Sequence, residues 1–189
     1  MTKAKELPLP SVEYLNECFV YDEENGILIW KERPLHHFVT YKAYKTWNGK
    51  HPNKKAGRID RSQKHYTERV SVLKINYYVH RLIFKMMYGY DPLCIDHING
   101  NPLDNRINNL RSVTNKENNK NKPMIKHTGH IGVYFNKNKK NDPWFACIQV
   151  DGKQYTKYFS SEEEAISCRK AWNTKYGYHE NHGRERNVA

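Results

Sequence analysis

Short apolar runs punctuated by turn-forming residues, rather than long amphipathic periods, dominate this chain. Residues 19–21 and 27–30 bracket the sequence Asp22-Glu-Glu-Asn-Gly26. The Asn25-Gly26 dipeptide accepts the positive φ of a tight turn, so a β-hairpin is predicted there. Residues 68–79 alternate as one strand does, and residues 81–88 carry the spacing of a short helix that Gly89 ends. Leu93-Cys-Ile95 is predicted as a buried strand with Asp96 and His97 emerging at its end. Asn99-Gly100 then turns the chain, and residues 110–113 form a second short strand. Thr114 with Glu117 is a capping-box signature that starts a helix at Asn115 and puts Asn118 in its first turn.

Beyond the polar, proline-containing stretch 121–129, residues 132–136, 144–150 and 154–159 read as three strands, with Asp151-Gly152 turning the second hairpin. Trp144, Ala146, Ile148 and Val150 are expected to face a helix that Ser161 and Glu164 cap and Gly177 ends. Ala165, Cys168 and Trp172 line that helix's inner face, and Phe145, Cys147 and Gln149 lie on the open face of the sheet. Residues 1–16 form a short arm or an amphipathic turn. Between residues 31 and 64 the pattern fades into basic and aromatic positions such as Tyr41, Tyr44, Trp47, Lys54, Lys55, Arg58 and Arg61, which suits a phosphate-facing loop and a solvated insertion equally. The expected class is α+β. The expected parts are a β-rich extension (1–64), a core (65–122), a linker (123–130), a three-stranded antiparallel sheet with one helix (131–178) and a basic tail (179–189) with Arg184 and Arg186.

Composition sharpens this. With 32 Lys and Arg against 20 Asp and Glu, the 189-residue chain carries a net charge of +12, and a polyanion is its natural partner. An aromatic fraction of 13% argues against disorder. The four cysteines make no CxxC pair, which excludes a zinc ribbon or a small disulfide framework and favours a reducing compartment. The start lacks a signal-type apolar region and no apolar run approaches membrane-spanning length. The expectation is a soluble, cytoplasmic, unsecreted protein with no membrane association and no obligate protein partner.

The chemistry concentrates between residues 93 and 121. Asp96, at a strand end, and Asn118, at a helix start, supply two oxygen ligands to one divalent cation, and such hard ligation suits Mg2+ or Mn2+ better than zinc. His97 beside them can take a proton from water, since an imidazole of pKa near ~6.5 is mostly neutral at physiological pH. An EF-hand fails here: Ile98 occupies a ligand position, Gly100 falls one residue early, and Ile107 stands where the closing Glu belongs. His80 has two readings, a second active-site imidazole or phosphate donor, and a structural histidine.

VHRLIF at residues 79–84 and IDHINGNPLDNRINNLRSVTNKEN at residues 95–118 resemble the HNH endonucleases, in particular the phage and intron-associated homing type with its ββα-metal core. The resemblance covers about residues 77–122. It implies that His97 is the general base, that Asp96 and Asn118 bind metal in an H-N-N variant, and that Asn109 braces the loop orienting the base. Lys116, Lys120 and Lys122 would contact phosphate. Residues 132–177 resemble the AP2 (AP2/ERF) DNA-binding domain, whose reading positions map to Tyr134, Asn136, Cys147, Gln149, Lys153 and Tyr155. The implied function is a metal-dependent DNA endonuclease cutting double-stranded DNA at preferred sites, encoded by a phage or other mobile element and acting in the host cytoplasm. The rival is a noncatalytic DNA-binding regulator that keeps the HNH fold. An RNA-binding accessory protein also fits the charge, but it leaves Asp96, His97 and Asn118 without a task.

Overall fold

Val79, Leu82 and Ile83 recur at helical spacing and are all fully buried, so the helix that carries them organises the first half of the chain. It spans Val79–Tyr88 (α3) and stops where Gly89 adopts the left-handed conformation, φ 80°, with its N–H donating to the Lys85 carbonyl at 2.8 Å. The computed structural model describes residues 8–61, 66–114, 117, 118, 120, 130–179 and 182. Two compact units make up the chain, residues 1–113 and 114–189. The fold is mixed α+β, with four α-helices and four small antiparallel sheets among the described residues.

In the first unit, helix α1 (Val12–Cys18), capped by Ser11, leads into β1 (Phe19–Asp22) and β2 (Ile27–Trp30). The hairpin register pairs Phe19 with Trp30 and Asp22 with Ile27, and Gly26 takes φ 67° in the turn. A third strand, β3 (Lys55–Ala56), adds to β2. A second sheet orders β4 (Arg58–Asp60), β5 (Thr67–Val72) and β6 (Ile75–Tyr78). The single strand expected over residues 68–79 is therefore a hairpin. Leu73 and Lys74 both hold positive φ, 52° and 64°, and reverse the chain without glycine or asparagine. The last pair, β7 (Ile95–His97) and β8 (Leu110–Ser112), flanks the Asn-rich loop, which includes a 3-10 turn, Ile107–Asn109. The core gathers Leu15, Phe19, Leu28, Val70, Val72, Val79, Leu82 and Leu110.

The faded stretch after β2 has order of its own. A 3-10 turn at Leu35–His37 precedes helix α2 (Tyr41–Asn48), capped by Thr40. Arg33 organises this segment. Its guanidinium lies 5.0 Å from the Phe38 ring centre and 4.9 Å from that of Trp47, while its backbone exchanges two hydrogen bonds with the Asn48 side chain.

In the second unit, β9 (Val133–Phe135), β10 (Trp144–Val150) and β11 (Lys153–Phe159) form one sheet with β10 central, and helix α4 (Glu162–Lys175) packs on it. Ala146 and Ile148 are buried and Gln149 is exposed. On α4 the buried positions are Ala165 and Arg169, while Cys168 and Trp172, expected on the inner face, are half-buried. Arg169 takes that place because its guanidinium binds the Asn173 amide oxygen and lies 5.2 Å from the Tyr178 ring centre.

Candidate active site

The β7–β8 ladder pairs Ile95 with Ser112, Asp96 with Arg111 and His97 with Leu110. Asp96 and His97 thus lie inside a strand rather than beyond its end, and Leu93, expected to be buried, is 83% exposed. The register explains the shift, since the partners available on β8 face residues 95–97 and leave Leu93 outside the ladder. Neighbouring strand residues project to opposite faces, and the two side chains have different partners. Asp96, 7% exposed, accepts two hydrogen bonds on Oδ2 from Arg111, Nε at 2.9 Å and Nη2 at 2.6 Å.

His97 sets Nε2 3.1 Å from Asn105 Oδ1. Its ring meets that of His80 edge-on, centroids 5.1 Å apart, and His80 stacks in turn on Tyr78. Burial holds the His97 pKa below the ordinary imidazole value, against the opposing pull of Asn105 and of the Asp96 and Asp104 charges. Burial depresses His80 much further, to about 3, with help from His97 and Arg81.

Asn109 ties the loop across its mouth. Its Oδ1 accepts from the Asn99 N–H at 2.9 Å and its Nδ2 donates to the Asp104 carbonyl at 2.8 Å. Asp104 accepts from Arg106 and from the Asn99 amide, and the Arg106 guanidinium holds its carboxyl at about 2. Asn105, 1% exposed, is clamped from the other side of the unit. Its Nδ2 donates to Glu68 Oε2 at 3.2 Å, its carbonyl accepts from the Tyr21 hydroxyl at 3.1 Å, and that hydroxyl accepts from the Ile107 N–H at 2.8 Å. The β1–β2 turn closes over the same place, where a Cβ at Gly26 would lie 2.5 Å from the Arg106 nitrogen.

Sequence reasoning missed Glu68, Asn105, Tyr21 and Arg111. One signal for Glu68 was present: it shares the inward face of β5 with Val70 and Val72, and an acid on a core face needs partners. The others are ordinary residues whose roles arise only from tertiary approach.

Asn118 belongs to the second unit, where its N–H donates to the Thr114 carbonyl and Thr114 and Glu117 exchange hydrogen bonds as a capping box does. Lys116 and Lys122 lie outside the described residues, as do most of the expected linker and tail. Lys120 donates to the Tyr176 carbonyl at 2.6 Å. Directly paired residues of a sheet share a face. Tyr134 pairs with Phe145 and Gln149 with Gln154, on the open side, with Cys147 between them on the same strand. Tyr155 pairs with the buried Ile148 and Lys153 with Val150, which sets both on the helix side. Asn136 follows β9 and its side chain accepts from the Asn138 N–H. The mapped reading positions are therefore divided between two faces.

The Asp96 carboxylate, held by Arg111, is a hard oxygen donor of the kind Mg2+ or Mn2+ takes, while Asn118 lies in the second unit. Among the described residues, Glu17, His36 and His37 also bring ligand atoms within 4.8 Å of one another. There, however, Arg33 Nε donates to His37 Nδ1 at 3.2 Å, which leaves the proton on Nε2, 2.6 Å from Glu17 Oε2. Both ring nitrogens of His37 are thereby committed to hydrogen bonds.

Compared with known proteins, residues 77–120 match the model of the HNH endonuclease family. Two relatives then stand out. The chain is 32% identical over 99 residues, 50% of its length and 47% of the relative's, to the SPbeta prophage-derived putative HNH homing endonuclease YosQ of Bacillus subtilis (strain 168). It is 36% identical over 63 residues, 32% of its length and 50% of the relative's, to Protein 3.8 of Escherichia phage T7. The chain thus spans about half the length of the curated relatives it matches. No solved structure matches it. No helix among the described residues is long and apolar enough to cross a membrane.

Proposed function

We propose that this chain is a metal-dependent DNA endonuclease of the HNH homing type, hydrolysing phosphodiester bonds at preferred sites in double-stranded DNA. The observation that carries the reading is the coincidence of the HNH match at residues 77–120 with a half-buried imidazole, His97, held through its side chain beside a loop that Asn109 braces. In this reading His97 takes the proton of the attacking water, and its lowered pKa keeps the ring neutral for that task at physiological pH. The resemblance assigns Asp96 and Asn118 to one divalent cation, Mg2+ or Mn2+, which when bound would supply positive charge against the phosphate and the leaving 3′ oxygen. Arg111 fixes the Asp96 carboxylate by two donors on one oxygen.

The second unit serves as an AP2-like DNA-binding module. Tyr134, Cys147 and Gln149 then read from the open face with Asn136 beside them, and Lys153 and Tyr155 reach DNA from the edge strand. Lys116, Lys120 and Lys122 would contact backbone phosphate, as the resemblance implies. A second reading, the noncatalytic regulator, draws on Arg111, whose grip on Asp96 is also what a retained fold without a metal would show.

Conversion of supercoiled plasmid by wild type and by His97→Ala, with Mg2+, Mn2+ or EDTA, decides between them. The expected outcome is metal-dependent nicking or linearisation that His97→Ala abolishes. Equal DNA binding by both proteins with no cutting under any condition would leave the regulator standing.

A further inference from the structure

We infer that Glu68 is a positioning residue for the proposed reaction: acting through Asn105, it fixes which nitrogen of His97 carries the hydrogen and leaves the lone pair on Nδ1. The inference rests on the reading of His97 as the base, and it begins from a group that reading does not use. The Glu68 side chain is 4% exposed, with Lys55 Nζ 2.8 Å from Oε1 and Asn105 Nδ2 3.2 Å from Oε2.

The two ends of an Asn amide are nearly isosteric, so the surroundings decide which faces where. An ionised carboxylate only accepts. The Asn105 group facing Glu68 is therefore the NH2, and a flip would set two oxygens against each other. The same orientation turns Oδ1 towards His97, 3.1 Å from Nε2. Because an amide oxygen only accepts, Nε2 carries the hydrogen, and in the neutral ring the lone pair falls to Nδ1.

Asn105 cannot escape this by moving. The Tyr21 hydroxyl holds its carbonyl, and the turn at Gly26 closes against the Asn105-Arg106 peptide. Packing alone does not call for Glu68, since Val70 and Val72 fill the same face of β5 and an apolar side chain would continue it. A buried acid with a lysine on one oxygen and an amide on the other is an orienting device. Lys55 completes it from β3, so the relay of Lys55, Glu68, Asn105 and His97 draws on three separate sheets.

The test uses the full chain and two readouts. Ring nitrogen shifts of His97, assigned by difference from His97→Ala in histidine-labelled protein, report the tautomer directly. Cleavage kinetics separate kcat from KM. Wild type is expected to hold the Nε2–H form. Glu68→Leu and Asn105→Leu should give a mixture of tautomers and lower kcat by about 10- to 100-fold, the usual cost of removing a group that orients a functional imidazole, with KM nearly unchanged. Glu68→Gln, whose amide oxygen Lys55 claims and whose NH2 then faces Asn105, should flip the Asn105 amide, favour the Nδ1–H form and lower kcat although the side chain keeps its size. A wild-type Nδ1–H form overturns the inference, as does Glu68→Leu with tautomer and kcat both unaltered. If Glu68→Leu fails to fold, the wild-type tautomer and Glu68→Gln still decide. Should the tautomer respond as stated while no protein cuts DNA, the positioning stands and the endonuclease reading falls.

Discussion

His80 packs edge-on against His97, and its proton affinity is set by that enclosure. With a folded pKa of about 3 against an ordinary imidazole value, the unfolded chain binds a proton between about pH 6.5 and pH 3 that the folded chain does not. Stability is therefore fully present above the unfolded pKa and is lost as pH falls through this window. Urea unfolding of wild type should show that decline, and His80→Gln should remove one proton's worth of its slope. The same enclosure explains what could be read at the residue scale. Asp96 and His97 drew attention because an acid-imidazole pair before an Asn-rich loop has few mundane explanations, and Asn109 came in only through the resemblance to the HNH endonucleases. Asn105 did not, because it is one asparagine among several, and its burial depends on Tyr21 and Gly26, far away in the chain.

At the scale of elements, the hairpins with Asn-Gly or Asp-Gly turns were legible and the one at Leu73-Lys74 was not. Both of its residues hold a left-handed conformation that costs an L-residue about 1–2 kcal/mol, and the turn forms because β5 and β6 pair on either side and bury Val70, Val72 and Tyr77. Leu73→Asn with Lys74→Gly should therefore stabilise the chain by about 1–2 kcal/mol, seen as a higher denaturant midpoint at unchanged slope. Residues 31–61 were opaque for a related reason. Helix α2 buries none of its residues in the core, and the segment is held by Arg33 among Tyr14, Phe38 and Trp47. The α+β class was readable because Gly89 and the caps at Thr114 and Ser161 act locally. The division of Tyr134 and Gln149 from Lys153 and Tyr155 was not, since it depends on the register between strands.

For the whole molecule, the segment that matches the HNH family is smaller than the unit that supports it: residues 77–120 omit Tyr21, Gly26, Lys55 and Glu68. A fragment cut at those limits should show no cooperative thermal unfolding, whereas the full chain should, with calorimetry as the check. The turn at Gly26 that closes on the Asn105-Arg106 peptide has a consequence for ancestry. A recombination event that transplanted the motif alone into another chain would deliver its imidazole without the hairpin, the tyrosine and the acid that hold it. The cassette that can be inherited with its imidazole in place is the long one, and Tyr21, Gly26 and Glu68 are expected to travel with Asn105.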